Sequence, residues 1–310
     1  SSTAIKWVNN SRVFDGVVRG TWPTPPQFSS NVNIRRDATL VLEIPAVSVP
    51  VIDPIVMERP VIDANTFKES ANYVFFYENG KRRVTVKNVE GIADGTYFIA
   101  SYNTHNTHDY LCTALSGNYC SEPPLAEKGR TLCMGFGNGN SCFDQSTAGN
   151  WVFNGQSLAP GTAWFEGNLK LANGKFVNTF LATGHIDITQ GSVRVYSPNY
   201  AGYTATCTDS KGLSISTDHR LAGIKPKNMC SIDGEYISTP LGNVALLAGS
   251  FNSSGVFSGG NINLSASNEI YGTIMAGGVL KTSGSTKMYG ALVVANTPKT
   301  GTTQIQGGVN

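Results

Sequence analysis

The chain writes one long phrase twice. Residues 167–197, GNLKLANGKFVNTFLATGHIDITQGSVRVYS, align without a gap with residues 260–290, GNINLSASNEIYGTIMAGGVLKTSGSTKMYG, ninety-three positions later. Gly167/Gly260, Asn168/Asn261, Leu171/Leu264, Gly184/Gly277, Thr189/Thr282, Gly191/Gly284, Ser192/Ser285 and Tyr196/Tyr289 are identical. Apolar character matches at Leu169/Ile262, Leu181/Ile274, Ile186/Val279 and Val195/Met288. A shorter period lies inside the second copy. Ile270-Tyr271-Gly272, Met288-Tyr289-Gly290 and Ile305-Gln306-Gly307 follow one another at eighteen and then seventeen residues.

A period near eighteen is too short for a helical repeat or a propeller blade. It suits one coil of a β-solenoid made of three short strands. Coils would stack about 4.8 Å apart. A glycine that permits a corner in one coil is then needed at the same corner in the next, and inward positions stay apolar at every level. The expected fold is all-β: a β-solenoid of about eighteen-residue coils with disulfide-bearing loop insertions.

The repeat also places the domains. Residues 198–241 lack the pattern and read as an excursion pinned by Cys207 and Cys230, whereas 242–259 again resemble a coil. Upstream, GTYFIA (95–100) echoes GTAWFE (161–166), so 101–150 reads as a second excursion. YVFFYENGKRRVTV (73–86) is a hairpin turning at Asn79-Gly80. Pro45, Pro50, Pro54 and Pro60 bar residues 44–60 from a central strand or a helix interior. The expected division is an extended, Pro-rich segment over 1–70 packed on a solenoid over 71–310, interrupted at 101–150 and 198–241.

Composition agrees with an exposed β protein. Charged residues are 14% of the chain and the net charge is +2, so bulk electrostatics selects no partner. The six cysteines, Cys112, Cys120, Cys133, Cys142, Cys207 and Cys230, form no C-x-x-C pair. Their even number favours disulfides in an oxidising compartment over metal binding. Cys207–Cys230 is the expected bridge; the other four cysteines have open connectivity. No run of eighteen apolar residues is present.

Candidate chemistry is sparse. Solenoid enzymes that cleave polysaccharides need clustered carboxylates, yet 242–310 contains Glu269 alone and the first copy Asp187 alone. His105, His108 and Asp109 have metal-ligand types without a fourth partner, and His185 reads as an exposed strand residue. There is no nucleophile elbow and no phosphate-binding glycine loop. Lys81, Arg82 and Arg83 are candidate phosphate contacts for DNA. Trp7, Trp22, Trp151 and Trp164 are candidates for sugar stacking or core, and Thr189/Thr282 with Ser192/Ser285 suggest a hydroxyl-bearing face. No catalytic, cofactor or metal residue is assigned.

PGTAWFEGNLKL, SPNYAGY with its downstream cysteines, GNVALLAGSF and IYGTIMAGG…MYGALVVAN, together with the Pro-rich 44–60, resemble the large minor pilins and pilus-assembly proteins of type IV pilus systems in Gram-negative bacteria. The resemblance covers residues 160–310. It implies a non-catalytic role at the cell surface, on the pilus or in the periplasm, with other pilin subunits as partners and a surface glycan or DNA as ligand. It also implies attachment to the membrane through an N-terminal prepilin-type helix, a segment these 310 residues do not contain. The rival expectation is a carbohydrate-active enzyme or a carbohydrate-binding β-helix protein.

Overall fold

The computed structural model describes residues 60–135, 141–208, 221–297 and 303–305, and the backbone of six short strands within 1–58. The chain is predominantly β and divides into two units, Ser1–Glu58 and Arg59–Asn310. The boundary therefore falls near residue 58 rather than 70. Most of the Pro-rich segment lies outside the described residues. The strands of the first unit pair in parallel: Lys6 beside Gln27, Arg12 beside Asn33 and Val17 beside Thr39. The first unit is thus more than one extended segment, because its chain returns once alongside itself, twenty-one or twenty-two residues on.

Three parallel ladders organise the second unit. Ladder A joins Asn150–Asn154, Asn168–Asn173, Ile186–Ile188, Ile262–Leu264 and Leu280–Thr282. Ladder B joins the first half of Lys175–Ala182 to Arg194–Tyr196, Glu269–Tyr271 and Lys287–Tyr289. Ladder C joins Gly161–Phe165, the second half of Lys175–Ala182, Val244–Ala248, Thr273–Ala276 and Leu292–Val294. The chain visits A, B and C in turn and then returns to A one level on. Inward side chains form one continuous apolar cluster from Phe75 and Trp151 through Phe176, Phe180 and Ile186 to Ile274 and Leu280.

The first three strands of ladder C are buried on both faces. Their outer side chains, Trp164, Leu181 and Leu247, pack under Ile62, Ala64 and Phe67 of the segment that leads into the 3-10 turn Ala64–Ser70. Strands covered on both faces read as unbroken apolar runs, which accounts for VALLA and for TFLA. Trp164 is accordingly a core residue, its Nε1 donating to the Ala64 carbonyl at 3.0 Å. Trp151 is core as well. The side chains of Trp7 and Trp22 are outside the described residues.

The corner between ladders C and A shows why the phrase is repeated. Gly184 donates to the Gly167 carbonyl, Gly260 to Gly184 and Gly278 to Gly260, at 2.8–2.9 Å. Gly167 has φ +94°, and a Cβ there would lie 2.2 Å from the Gly149 carbonyl oxygen. Beside this column runs a second one. Asn168 Oδ1 accepts the His185 N–H at 2.8 Å, His185 Nδ1 accepts the Asn261 N–H at 3.1 Å, and Asn261 Oδ1 accepts the Val279 N–H at 3.1 Å. Each side chain holds the backbone of the next level. His185 is therefore a corner staple, half-buried, and not a free strand residue.

The gapless alignment holds at its two ends and slips by one residue in the middle. Leu171 and Leu264 share a column, and so do Tyr196 and Tyr289, with Tyr271 between them. Gly184, however, stacks with Gly278 rather than Gly277, and Phe180, not Leu181, is level with Ile274. The cause is the turn from ladder A to ladder B. It is one residue shorter than its counterpart after Leu171 and one residue longer after Ile188, so the two changes cancel. A one-residue slip exchanges the two faces of a strand. Thr282 in consequence lies buried in the column of Ile188 and Leu264, while Thr189 is exposed, so the two do not form a hydroxyl face.

Two further echoes resolve differently. The hairpin turn at Asn79 and Gly80, φ +51° and +71°, reverses the chain. That reversed strand, Lys81–Val86, and the later His105–Cys112 each pair antiparallel with Gly95–Tyr102, so GTYFIA is not a strand of the ladders. Gln304 bridges Lys281 of ladder A, so the run containing Ile305 does not continue the Ile270/Met288 column. That order is required by the path: after Leu292–Val294 of ladder C the next strand belongs to A. Gly307 is outside the described residues.

Residues 73–134 build an antiparallel sheet on the first level. Tyr73–Glu78 pairs with Gly161–Phe165 in parallel, and Thr131–Met134 pairs with Ser157–Leu158. The sheet thus leaves the first level at ladder C and returns to it beside ladder B. Residues 141–147 cover ladder A, with Cys142 O accepting from Asn154 and Ser146 Oγ from Val152. Exposed strand edges template aggregation, and all three first-level edges are occupied. The 198–243 excursion contains the helix Pro198–Cys207, kinked at Gly202, and the bridge Cys207–Cys230.

Two outcomes test the columns. His185→Asn keeps an acceptor for the Asn261 amide and should retain stability, whereas His185→Ala should cost about 1–3 kcal/mol in chemical denaturation. In the stack Tyr196–Tyr271–Tyr289, with ring centroids 4.4 and 4.5 Å apart, burial and then the Glu269 charge push Tyr271 up from 10.0 to about 12. The neutral phenol is favoured in the folded state. Its contribution is complete below pH 10 and is lost as pH rises towards 12, a window that phenolate absorbance and stability measured in parallel should reproduce.

Candidate functional site

The antiparallel sheet on the first level borders a half-open cavity of about 460 Å³. Its floor comes from strand alternation. Tyr73, Phe75 and Tyr77 share the inner face of one strand, and Val86, Val84 and Arg82 lie opposite them in register. Ile99 and Ser101 continue this face on the next strand. Asp109 comes from the strand after that. It is fully buried, its Oδ2 accepts the Phe143 N–H at 2.8 Å, and its Oδ1 lies 3.7 Å from the Arg82 guanidinium.

Two disulfide-tied flaps form the walls. Cys112–Cys120 closes the hairpin Ala114–Ser116/Tyr119–Glu122, which brings Leu115, Asn118 and Tyr119 to the rim. Lys81 fixes that hairpin by donating to the Gly117 carbonyl at 3.0 Å and to Asn118 Oδ1 at 2.8 Å. Cys133–Cys142 ties the second flap, from which Asp144, Ser146 and Thr147 face the cavity. Phe143 anchors this flap in the aromatic core, 5.4 Å from Phe75 and 5.7 Å from Trp151. The four cysteines left open by the sequence thus pair locally, each pair beside one wall.

Three polar atoms at this floor have no hydrogen-bond partner in the protein: the Tyr77 hydroxyl, one Arg82 guanidinium nitrogen (Nη1) and Asp109 Oδ1. Burial pushes the Tyr77 phenol up, with Arg82 opposing and Asp109 reinforcing. Buried polar groups are nearly always partnered, so such a cluster stands out; its three atoms are closed off from solvent, and Asp109 lies behind the lining residues Tyr77 and Arg82.

The candidate phosphate contacts do not converge. Arg82 faces the cavity and Asp109. Arg83 is on the opposite face, 3.6 Å from Glu78 and stacked over the Phe98 ring at 3.9 Å. Lys81 is occupied by the hairpin. His105, His108 and Asp109 do not converge either: His105 is exposed, while His108 Nδ1 accepts the Gly135 N–H. Among the described residues, the one group with metal-ligand types in reach of each other is Asp109, Cys133 and Cys142, and its two sulfurs are spent in the disulfide. Tyr77, Ser101, Tyr119, Asp144, Ser146 and Thr147 were not singled out by the sequence. They come from separate segments and share no spacing.

Three disulfides suit an oxidising compartment, extracellular or periplasmic. No helix among the described residues is long and apolar enough to cross a membrane. No protein-family model matches the chain, and no match is found among curated proteins or solved structures.

The three neighbouring cations should differ sharply on mutation. Arg82→Ala strands a fully buried carboxylate and should cost about 3 kcal/mol in denaturant unfolding. Arg83→Ala removes a partly exposed ion pair and a ring contact, and Lys81→Ala frees a surface hairpin; each should cost about 1 kcal/mol or less.

Proposed function

We propose that the chain is a non-catalytic extracellular subunit of a type IV pilus system, a minor pilin or an assembly subunit. In this reading the three ladders are the faces of a β-solenoid with coils of about eighteen residues, and the solenoid is a stem. The antiparallel sheet on its first level is the head that makes contact, for adhesion, DNA uptake or docking to other subunits.

The observation that carries this reading is the pairing of disulfides with loops. Two bridges hold the two walls of the head cavity, and a third ties the 198–243 excursion. Covalent ties placed on loops, over a stem held by repeated backbone pairing, suit presentation to an outside partner. The acids of the coils favour this reading over the enzyme. Asp187 is hydrogen-bonded by Asn263, and Glu269 takes Arg194 at 3.1 Å and Lys287 at 3.5 Å. Both are bound into columns as structural partners. Adhesion is favoured over DNA uptake, because Lys81, Arg82 and Arg83 are each engaged and face different ways.

The test is fractionation of the bacterium that makes the protein. The chain should sediment with filaments sheared from the cell surface, and loss of its gene should lower attachment to surfaces. A protein found wholly free of filaments, or one that depolymerises a polysaccharide, would overturn the proposal. Any DNA binding by the purified chain should be weak at physiological salt and little changed in Arg83→Ala; tight binding, abolished by Arg83→Ala and by added salt, would move the assignment to DNA uptake.

A further inference from the structure

We infer that the head cavity is a binding site for an uncharged saccharide unit, either a free sugar or the exposed end of a glycan. Its use in attachment rests on the display reading above; the binding itself does not.

Size, charge and hydrogen-bonding chemistry point the same way. At about 460 Å³ the cavity is within the range of small-molecule sites, roughly 300–1,000 Å³. Its charges balance. Lys81 and Arg82 are offset by Asp109 behind the floor and Asp144 on the rim. A phosphate, sulfate or carboxylate would gain the Arg82 guanidinium but meet Asp109 beside it, and Lys81 is already committed to the hairpin. A neutral ligand has no such conflict.

A sugar hydroxyl both donates and accepts, so a site for it needs donors and acceptors side by side. The lining supplies this mixture: the Arg82 guanidinium is a donor and the Asp144 carboxylate an acceptor. The Ser101 and Thr147 side chains add hydroxyls to the lining. At the rim, the Tyr119 ring is 42% exposed on the disulfide-tied hairpin, where it offers a flat apolar surface to the C–H face of a pyranose. The two disulfides hold the walls in place before the ligand arrives, which lowers the ordering cost of binding.

The experiment uses the intact purified chain and ligand-observed NMR. One set of probes is neutral: glucose, galactose, mannose, N-acetylglucosamine and their common disaccharides. The other is anionic: sialic acid, glucuronic acid and a mononucleotide. Tyr119→Ala and Thr147→Val are the test variants, Thr189→Ala in the turn after Ile186–Ile188 is the control, and unfolding curves verify that each variant is folded. At least one neutral sugar should bind, with an affinity little changed by salt, unaltered in Thr189→Ala and reduced at least tenfold in both test variants. A disaccharide that binds more tightly than its components would indicate a glycan end; equal affinities would indicate the single sugar. The inference fails if no neutral sugar binds, if the anionic set binds in preference, or if both test variants bind as the parent does. Sugar binding by a chain that does not sediment with filaments would remove the pilus assignment and leave the site standing. Filament association without sugar binding would do the reverse.

Discussion

The fold depends on backbone hydrogen bonds made from level to level in fixed register. Along the corner from ladder C to ladder A, a glycine amide meets the glycine carbonyl one level before it, from Gly184 to Gly167, Gly260 to Gly184 and Gly278 to Gly260. The column of Asn168, His185 and Asn261 reinforces it with side-chain acceptors aimed at the next level. Once that corner is set, the inward positions are set with it, and Leu169, Ile186, Ile262 and Leu280 fall over one another. Turn length is free only where compensation is possible. The turn from A to B varies by a residue either way, yet the level spacing recovers, because the next corner must again bring glycine to glycine.

Stacking of this kind creates its own hazard at the ends. Each terminal level offers unpaired N–H and C=O groups along three strands, and these recruit other chains. The antiparallel sheet resolves the hazard at the first level by beginning on one ladder and finishing beside another. Its strands use the same apolar interior: Phe75 stacks on Phe165 at 4.3 Å, and Trp151 of ladder A meets Tyr77 at 5.0 Å. The cavity lies where this shared core runs out. Beyond Tyr77 and Ile99 the inner face turns polar at Arg82 and Ser101, and the flaps diverge.

These two regions were legible to very different degrees. The ladders could be read because a stacked column constrains the same residue type at each level, so structure reappears as repetition. Reading failed where two glycines adjoin: Gly277-Gly278 offers both registers, and the gapless choice took the wrong one. GTYFIA misled because composition does not distinguish a strand of a parallel ladder from one of an antiparallel sheet; its two neighbours, Lys81–Val86 and His105–Cys112, both run opposite to it. Cys207 and Cys230 stood apart from the others and could be paired, while four cysteines between 112 and 142 fit several pairings equally well. The cavity was hidden for a deeper reason. Its lining is gathered from the 73–86 hairpin, the 95–102 strand and two flaps, and no periodicity links Tyr77 to Tyr119 or Ser101 to Thr147. Lys81, Arg82 and Arg83 looked alike as a basic run, yet strand alternation and the hairpin contact gave them three different tasks.

The separation of tasks follows from the physics of each part. A column tolerates little change, since a substitution at one level is felt by the levels before and after it through a shared corner. Loops tied by a disulfide are not bound by that rule. Cys112–Cys120 and Cys133–Cys142 fix where each flap begins, and the residues between remain free to differ in shape and polarity. The acids of the ladders, by contrast, are drawn into Asp187–Asn263 and Arg194–Glu269–Lys287. Charge follows the same division. On ladder B the one acid of its column, Glu269, lies between Arg194 and Lys287 and pairs with both, whereas at the cavity floor Arg82 and Asp109 stop 3.7 Å apart without a hydrogen bond.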